Sequence, residues 1–260
     1  MDVFIGVLYG IYGLLVGSFL NVCIYRIPRH VFWQSAHSYC PNCHTQLKWY
    51  ELVPLFSYLF LGGRCRTCKE RISIRYPLVE GGNMLLWILV YLMFGFSWYS
   101  IALCLLFSVL LVVSCIDLDI MEIPDGLIIA IAVLGVAPFV ASFFRENYLP
   151  SNLPWWGYLV GVVAVSVPFF LIALVTRGGI GGGDIKLMAA LGLFCGWKIV
   201  LLGAFFGVIL GGLMATCMLL VFGRNRRAMM PLAPALALGT VIALLWGEPI
   251  LNAITSVILP

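Results

Sequence analysis

The chain of 260 residues is 63% hydrophobic and only 10% charged, with a mean hydropathy of +1.07. One soluble core cannot cover that much apolar surface, so the composition excludes a soluble globular protein and predicts a membrane protein. The net charge of +4 is better explained by membrane topology than by nucleic-acid binding, so the expected partner is the lipid bilayer and not a nucleic acid.

Apolar runs of membrane-spanning length recur along nearly the whole chain. A helix needs about 20 mostly apolar residues to cross a bilayer. Counting runs between charged or Pro/Gly-rich breaks predicts eight helices, near 4–25, 78–95, 99–116, 126–144, 155–175, 184–196, 198–222 and 232–247. We therefore predict an all-α membrane protein with about eight transmembrane helices. The first run lacks a basic segment and a cleavage site, so we interpret it as a retained helix and not a signal peptide.

The segment from Arg26 to Tyr76 stands outside this apolar pattern. It holds eight of the 15 Lys and Arg residues, all three His and four of the nine Cys. We interpret it as a small extramembrane domain inserted after the first helix. The predicted division is a first transmembrane helix (1–25), a four-cysteine loop (26–77) and a multi-helix membrane domain (78–260).

The basic residues assign a side of the membrane to each loop. Eight alternating spans place the loops 26–77, 117–125, 176–186 and 223–231 on one side. That side carries all of the Lys and Arg residues except two, Arg145 and Lys198. Because cytoplasmic loops hold the excess of Lys and Arg, this side is predicted to be cytoplasmic, with both termini outside the cytoplasm.

Two Cys-x-x-Cys motifs, CPNC and CRTC, lie 21 residues apart in the loop and contribute Cys40, Cys43, Cys65 and Cys68. This spacing is close to a zinc-ribbon pattern, in which four thiolates bind one Zn²⁺ tetrahedrally. A pair of disulfides is the alternative, and it is disfavoured because the cytoplasm keeps thiols reduced. A redox Cys-x-x-Cys motif also stays open, although such motifs usually occur singly.

A four-cysteine site leaves no open position for water or substrate, so we expect a structural zinc that stabilises a loop too short to bury its own core. His37 and His44 flank the first motif and could replace one sulfur. Histidines exposed to solvent are the simpler interpretation.

Four of the 11 acidic residues fall within nine positions, at Asp117, Asp119, Glu122 and Asp125. Ionisable groups at a helix end in a membrane protein indicate a functional site. Asp125, after a proline and before an apolar run, is also well placed as a helix N-cap. If the preceding helix continues through this segment, Asp117 and Asp119 point to different faces. A carboxylate that pairs with either must therefore come from elsewhere.

Asp184 is the candidate partner. It follows five glycines among the six residues 178–183, which give a flexible backbone able to approach a ligand closely. An N-cap role is the alternative. Topology places Asp184 on the same membrane face as Asp117. Two carboxylates held close share a proton, so that one acts as base on a water and the other as acid toward a carbonyl.

Seven motifs together resemble the type IV prepilin peptidase family of Gly-x-Gly-Asp membrane aspartyl proteases. They are GLLVGSFLNVCIYRIPR at 13–29, the two cysteine motifs, PLFSYLFLGGRC at 54–65, RYPLVE at 75–80, IDLDIMEIPD at 116–125 and GGGDIKLMAALG at 181–192. The resemblance covers nearly the whole chain. The catalytic aspartates of that family match Asp117, six residues before the Ile of Ile-Pro-Asp, and Asp184.

The resemblance implies a bacterial inner-membrane enzyme that cleaves the leaders of type IV prepilins or pseudopilins on the cytoplasmic face. It also implies a second activity, methylation of the new N-terminus with S-adenosylmethionine, for which the sequence shows no separate site. The chain departs from the family at 231–234, where PLAP replaces a Pro-x-Gly-Pro element, so no function is carried onto that stretch. Glu80 matches a family acid and is left unassigned, since a carboxylate in the first turn of a helix explains it.

Two other classes compete with the protease. A transporter or channel also uses membrane carboxylates and broken helices, but the inverted repeats that would support it are not visible. A zinc metalloprotease is disfavoured because no H-E-x-x-H motif occurs and all three His lie in the loop.

Overall fold

The computed structural model describes residues 2–32, 37–144, 153–222 and 230–258. Over this part of the chain the fold is all-α, with two isolated β-bridges and no strand. The helices are α1 (Asp2–Arg26), α2 (Phe56–Phe60), α3 (Arg75–Phe94), α4 (Trp98–Ile120), α5 (Asp125–Ala141), α6 (Trp155–Val175), α7 (Gly182–Phe222) and α8 (Ala233–Ile258). Short 3₁₀ helices lie at Trp49–Leu52 and Ser142–Phe144.

Six of these helices are long and apolar enough to cross a membrane, and α5, with 17 residues, is a shorter apolar helix. The long helix α7 is broken at Gly196, whose φ of 73° and ψ of 170° are not helical. Each of the eight predicted runs therefore has a helical counterpart, the two runs 184–196 and 198–222 being the two parts of α7. The prediction of an all-α, multi-pass membrane protein is confirmed.

The chain divides into two compact units, Met1–Val112 and Val113–Pro260, with the division inside α4. In the first unit α1 packs closely against α3. A Cβ added to Gly17 would lie 2.8 Å from the Cα of Glu80, so only glycine permits this approach. Polar groups inside the unit are paired: Asn83 donates to the carbonyl of Gly13 at 2.7 Å and accepts from the Ser108 hydroxyl at 2.8 Å.

In the second unit α7 is the central element and contacts α5, α6 and α8. The backbones of α6 and α7 touch where Gly161 faces Gly192, because a Cβ on Gly192 would overlap the carbonyl of Gly161. The backbones of α7 and α8 approach in the same way at Gly207 and Gly239. Small residues are the usual means by which membrane helices reach such short separations.

Candidate active site and metal centre

Each Cys-x-x-Cys motif folds into the same turn. In the first motif the amide of Cys40 donates to the carbonyl of Thr45 at 3.0 Å, and the amide of His44 donates to the carbonyl of Cys40 at 2.9 Å. Both bonds are repeated in the second motif, which begins at Cys65. The residue after each motif, His44 or Lys69, has a left-handed φ of 55° or 59°. His44 thus forms a turn, and the candidate metal ligands among the described residues are the four cysteines alone.

The two turns bring all four sulfurs to within 4.8 Å of one another. The Sγ atoms of Cys40 and Cys68 lie 3.8 Å apart, and those of Cys43 and Cys65 lie 4.0 Å apart. All four thiols are free, so the alternative of paired disulfides is not what the structure contains. This cluster could hold one metal ion with four sulfur ligands.

The thiols differ in how readily they lose a proton. Hydrogen bonds to Thr45 lower the pKa of Cys43 to about 6, and backbone amides, chiefly that of Cys68, lower the pKa of Cys65. Burial raises the pKa of Cys40 to about 11. Because a metal binds the thiolate form, the lowered pKa values of Cys43 and Cys65 favour coordination. The Cys40 thiol would lose its proton only when a bound metal cation stabilises its thiolate.

In the second unit, α4 continues through the acidic segment and ends at Ile120. Asp117 is only 5% exposed, whereas Asp119 is exposed. The expectation that helical spacing turns these two carboxylates to different faces is therefore correct. The helix ends because Met121, with a φ of 56°, turns the chain after donating its amide to the Asp117 carbonyl at 2.9 Å.

Asp117 has a backbone partner that sequence reasoning missed. Its Oδ2 accepts a hydrogen bond of 3.1 Å from the amide of Ala233, the first residue of α8. A carboxylate at this position also interacts favourably with the positive end of the helix dipole. The PLAP stretch, to which the sequence assigns no function, thus contributes directly to the surroundings of Asp117. No side-chain pattern could have shown this, because the donor is a main-chain N–H.

The predicted N-cap role of Asp125 is wrong. Pro124 occupies the N-cap position and Asp125 is the first residue of α5. The Asp125 side chain instead accepts a 2.7 Å ion-pair contact from Nζ of Lys186, on the first turns of α7. Both side chains are largely exposed, so the pair contributes roughly 0.2–1 kcal/mol to stability.

Asp184 is not an N-cap either, because α7 begins at Gly182 and the Asp184 amide donates to the Gly181 carbonyl at 3.1 Å. Two neighbouring glycines are required for close approach. A Cβ on Gly181 would lie 3.0 Å from Oδ2 of Asp184, and one on Gly183 would lie 3.2 Å from Cβ of Ile123. Gly183 therefore lets the start of α7 pack against the α4–α5 turn, and Gly181 leaves room for the Asp184 side chain.

This packing brings Asp184 into the electrostatic range of Asp117. Contacts between residues 183 and 123, between Lys186 and Asp125, and between Ala233 and Asp117 join three segments at one end of the second unit. Two carboxyl groups 67 positions apart in sequence are thus close enough to interact electrostatically. Such a pair can hold one proton between them and perform acid and base catalysis together.

Glu80 is placed differently from the sequence interpretation. Since α3 begins at Arg75, Glu80 lies beyond the first helical turn and does not interact with the helix N-terminus. It is 8% exposed, and its Oε2 accepts the amide of Leu55 at 2.8 Å. Ser18 and Asn21 of α1 also hydrogen-bond to this carboxyl group.

The fold and these sites define a multi-pass membrane protein with two neighbouring carboxyl groups and a four-thiol cluster that could hold a metal ion. Residues 11–94 match the family model of the bacterial peptidase A24 N-terminal domain, and residues 104–216 match that of the type IV leader peptidase family. The chain belongs to the type IV leader peptidase family.

Curated relatives agree over nearly the full length. A prepilin leader peptidase/N-methyltransferase of Stutzerimonas stutzeri is 38% identical over 92% of this chain and 89% of its own. Proteins of the same name from Bacillus subtilis (35% identical; 93% of this chain, 94% of the relative) and Pseudomonas aeruginosa (36%; 92% and 89%) are also similar. No solved structure matches the chain.

Proposed function

We propose that this protein is a membrane aspartyl endopeptidase that removes the leaders of type IV prepilins or pseudopilins and then methylates the new N-terminal residue with S-adenosylmethionine. The observation that carries the peptidase proposal is the shared site of Asp117 and Asp184. The names of the relatives support both activities.

The two carboxyl groups have different surroundings, which suggests a role for each. Asp117 accepts the Ala233 amide, and a hydrogen bond from a helix N-terminus favours the ionised form. We assign Asp117 as the base that takes a proton from the attacking water. Asp184 then carries the shared proton and donates it to the carbonyl oxygen of the scissile peptide. Attack of the water on the carbonyl carbon gives a gem-diol. Its collapse breaks the C–N bond as Asp117 passes its proton to the leaving amine and a hydroxyl of the gem-diol returns a proton to Asp184.

The metal in the four-cysteine cluster is proposed to be Zn²⁺. With Zn–S bonds of about 2.3 Å, tetrahedral geometry places the sulfurs about 3.8 Å apart. Two of the six sulfur pairs, at 3.8 and 4.0 Å, fit that value, and all six pairs lie within 4.8 Å. Four sulfur ligands leave no open position, so the zinc would be structural and would fix the loop while the aspartates perform the cleavage.

The proposed location is the bacterial inner membrane. The pair of Asp117 and Asp184, here called the dyad, and the zinc loop would lie on the cytoplasmic side. The meeting of the segments near residues 117–125, 181–186 and 233 at one end of the second unit supports the assignment of these loops to one face. The topology argument also uses four arginines that lie outside the described residues, namely Arg145, Arg224, Arg226 and Arg227. The division into 1–25, 26–77 and 78–260 remains part of the proposal.

The alternative of a transporter or channel is not favoured, because the matched families and relatives are leader peptidases.

The decisive experiment compares four Asn variants in a leader-cleavage assay at matched membrane abundance. Asp117→Asn and Asp184→Asn should each lower cleavage below detection, because an amide can neither accept nor donate the transferred proton. Asp119→Asn and Asp125→Asn should keep most activity, since the first is exposed and turned away and the second forms a weak surface ion pair. Full activity of Asp184→Asn, or loss at Asp119 with retention at Asp117, would show that the pair is misassigned.

A further inference from the structure

The first unit contains a cavity that the peptidase chemistry does not use. Its volume is about 430 Å³, within the roughly 300–1,000 Å³ typical of small-molecule and cofactor sites. The end of α1, the two cysteine turns, α2 and the start of α3 all contribute to its wall. These elements lie within the region that matches the A24 N-terminal domain, residues 11–94.

The cavity wall contains a preorganised carboxyl group, that of Glu80. This side chain lines the wall, is 8% exposed, and is held by the Leu55 amide at 2.8 Å and by Ser18 and Asn21. Leu55 itself adopts a left-handed φ of 59°, an uncommon conformation for this residue type, at the point where its amide meets the carboxylate. A buried carboxylate fixed by three neighbours is suited to a cationic ligand group, because little reorganisation is needed on binding.

Aromatic groups surround the same space. Tyr25, Tyr39, Tyr58 and Tyr76 all line the cavity. Tyrosine rings attract cations through their faces and offer a flat apolar surface for a heteroaromatic base. An arginine, Arg71, is also on the wall and can receive a carboxylate. The lining thus offers partners for a cation, a flat ring and a carboxylate in one space.

We propose that this cavity binds S-adenosylmethionine and is the methyl-donor site. The inference rests on the methyltransferase part of the proposed function. The cofactor carries a sulfonium and an ammonium cation, an adenine ring and a carboxylate. The wall offers Glu80 for the cations, the tyrosines for the ring and Arg71 for the carboxylate. When bound, the cofactor supplies a methyl group to a neutral amine, which loses one proton while the sulfonium becomes a thioether.

The metal cluster and the cavity share a wall. Cys40 and Cys65 belong to both the candidate metal ligands and the lining of the cavity. Metal loss should therefore deform the cofactor site, whereas the dyad lies in the other compact unit. Zinc removal is expected to abolish cofactor binding.

The test measures binding of radiolabelled S-adenosylmethionine to the full-length protein in detergent by equilibrium dialysis, without any pilin. Glu80→Gln keeps an acceptor for the Leu55 amide but removes the charge, and should weaken binding roughly 10-fold or more. Glu248→Gln is the matched control in α8 and should bind as the parent protein does. Asp184→Asn, which is expected to lose cleavage, should also bind normally because it lies in the other compact unit. Zinc content and the thermal midpoint show that each variant is folded.

A second measurement does not depend on Glu80. Ser57→Phe introduces a large side chain at a half-buried position on the cavity wall and should block binding. Photo-crosslinking with an azido-adenosyl analogue should label peptides within residues 18–80. The inference would be overturned by crosslinking within residues 113–260, or by unchanged cofactor binding in both Glu80→Gln and Ser57→Phe. It would also be overturned if a leader peptide alone displaced the bound S-adenosylmethionine. A protein that cleaves leaders but binds no S-adenosylmethionine would refute this site and leave the peptidase proposal intact.

Discussion

At the residue scale, Asp117 receives its hydrogen bond from a main-chain group and not from a side chain. The Ala233 amide donates at 3.1 Å, and any residue with an N–H at this position could do the same. The replacement of glycine by alanine in the PLAP stretch therefore leaves the donor in place. The departure from the family pattern therefore does not remove the hydrogen bond to Asp117.

Ala233→Pro tests this donor. Proline is tolerated in the first turn of a helix but has no N–H, so the hydrogen bond to Asp117 is lost while α8 can still begin. Losing a hydrogen bond to a charged group costs about 1.5–3 kcal/mol, so kcat/KM for leader cleavage should fall roughly 10- to 100-fold. Ala233→Gly keeps the N–H and should retain activity. Near-normal cleavage by the proline variant would mean that the amide does not support catalysis.

The prediction that Asp117 and Asp184 lie close together follows from membrane topology and helical spacing. Membrane topology alone places 117 and 184 on one face, and helical spacing turns Asp119 away from Asp117. The same reasoning failed at Asp125, because local sequence favours a cap and gives no sign of Lys186, 61 positions further along the chain. Contacts formed only by tertiary packing, such as those of Ala233 and Glu80, leave no local pattern to detect.

At the element scale, apolar runs locate membrane helices well but not their ends. The run 99–116 stops before Asp117, yet α4 continues to Ile120 because charged residues are compatible with a helix that emerges from the membrane. The run 232–247 stops before Glu248, yet α8 extends to Ile258 through Pro249. The break in α7 was predicted correctly because Gly196 and Lys198 interrupt the apolar run where the backbone changes direction.

The close contact of α6 and α7 predicts that a glycine-to-alanine substitution in α7 destabilises the protein at the contact but not away from it. In Gly192→Ala the new methyl group would overlap the Gly161 carbonyl, and the helices would have to separate. Overpacking of this kind costs typically about 1–3 kcal/mol, so the thermal midpoint and the folded yield should fall. Gly212→Ala, also in α7, has nothing within 4 Å and should be neutral or slightly stabilising. Equal midpoints for the two variants would argue against a backbone contact between Gly161 and Gly192.

The four-cysteine loop should depend on its metal. We expect about one zinc per chain by elemental analysis, because four thiols converge on one tetrahedral site. Cys65→Ser should release the metal and raise hydrogen exchange across residues 38–73, while exchange in the membrane helices stays low. Cys217→Ser, in α7, is the control and should keep the zinc. Well under one zinc in the parent protein would contradict the assignment.

At the scale of the whole molecule, the sequence-based topology makes a claim about each loop that can be measured separately. Within the second unit, the turn at 121–124 and the residues flanking Asp184 lie together at one end, as the alternation of spans requires. The excess of Lys and Arg in loops on that side is what assigns it to the cytoplasm. The distribution of Lys and Arg therefore predicts which side faces the cytoplasm. Helix packing within the second unit supports the placement of these two loops on the same side.

Two single-cysteine additions test the orientation. Glu122 and Phe96 are both exposed and lie in turns predicted to face the cytoplasm and the opposite side, respectively. In intact spheroplasts a membrane-impermeant maleimide should modify Phe96→Cys, with labelling of the parent protein subtracted as background. Glu122→Cys should react only after the membrane is opened, because the reagent cannot otherwise reach the cytoplasmic face. Leader cleavage by each variant confirms that the protein remains folded. The reverse labelling pattern would contradict the predicted orientation.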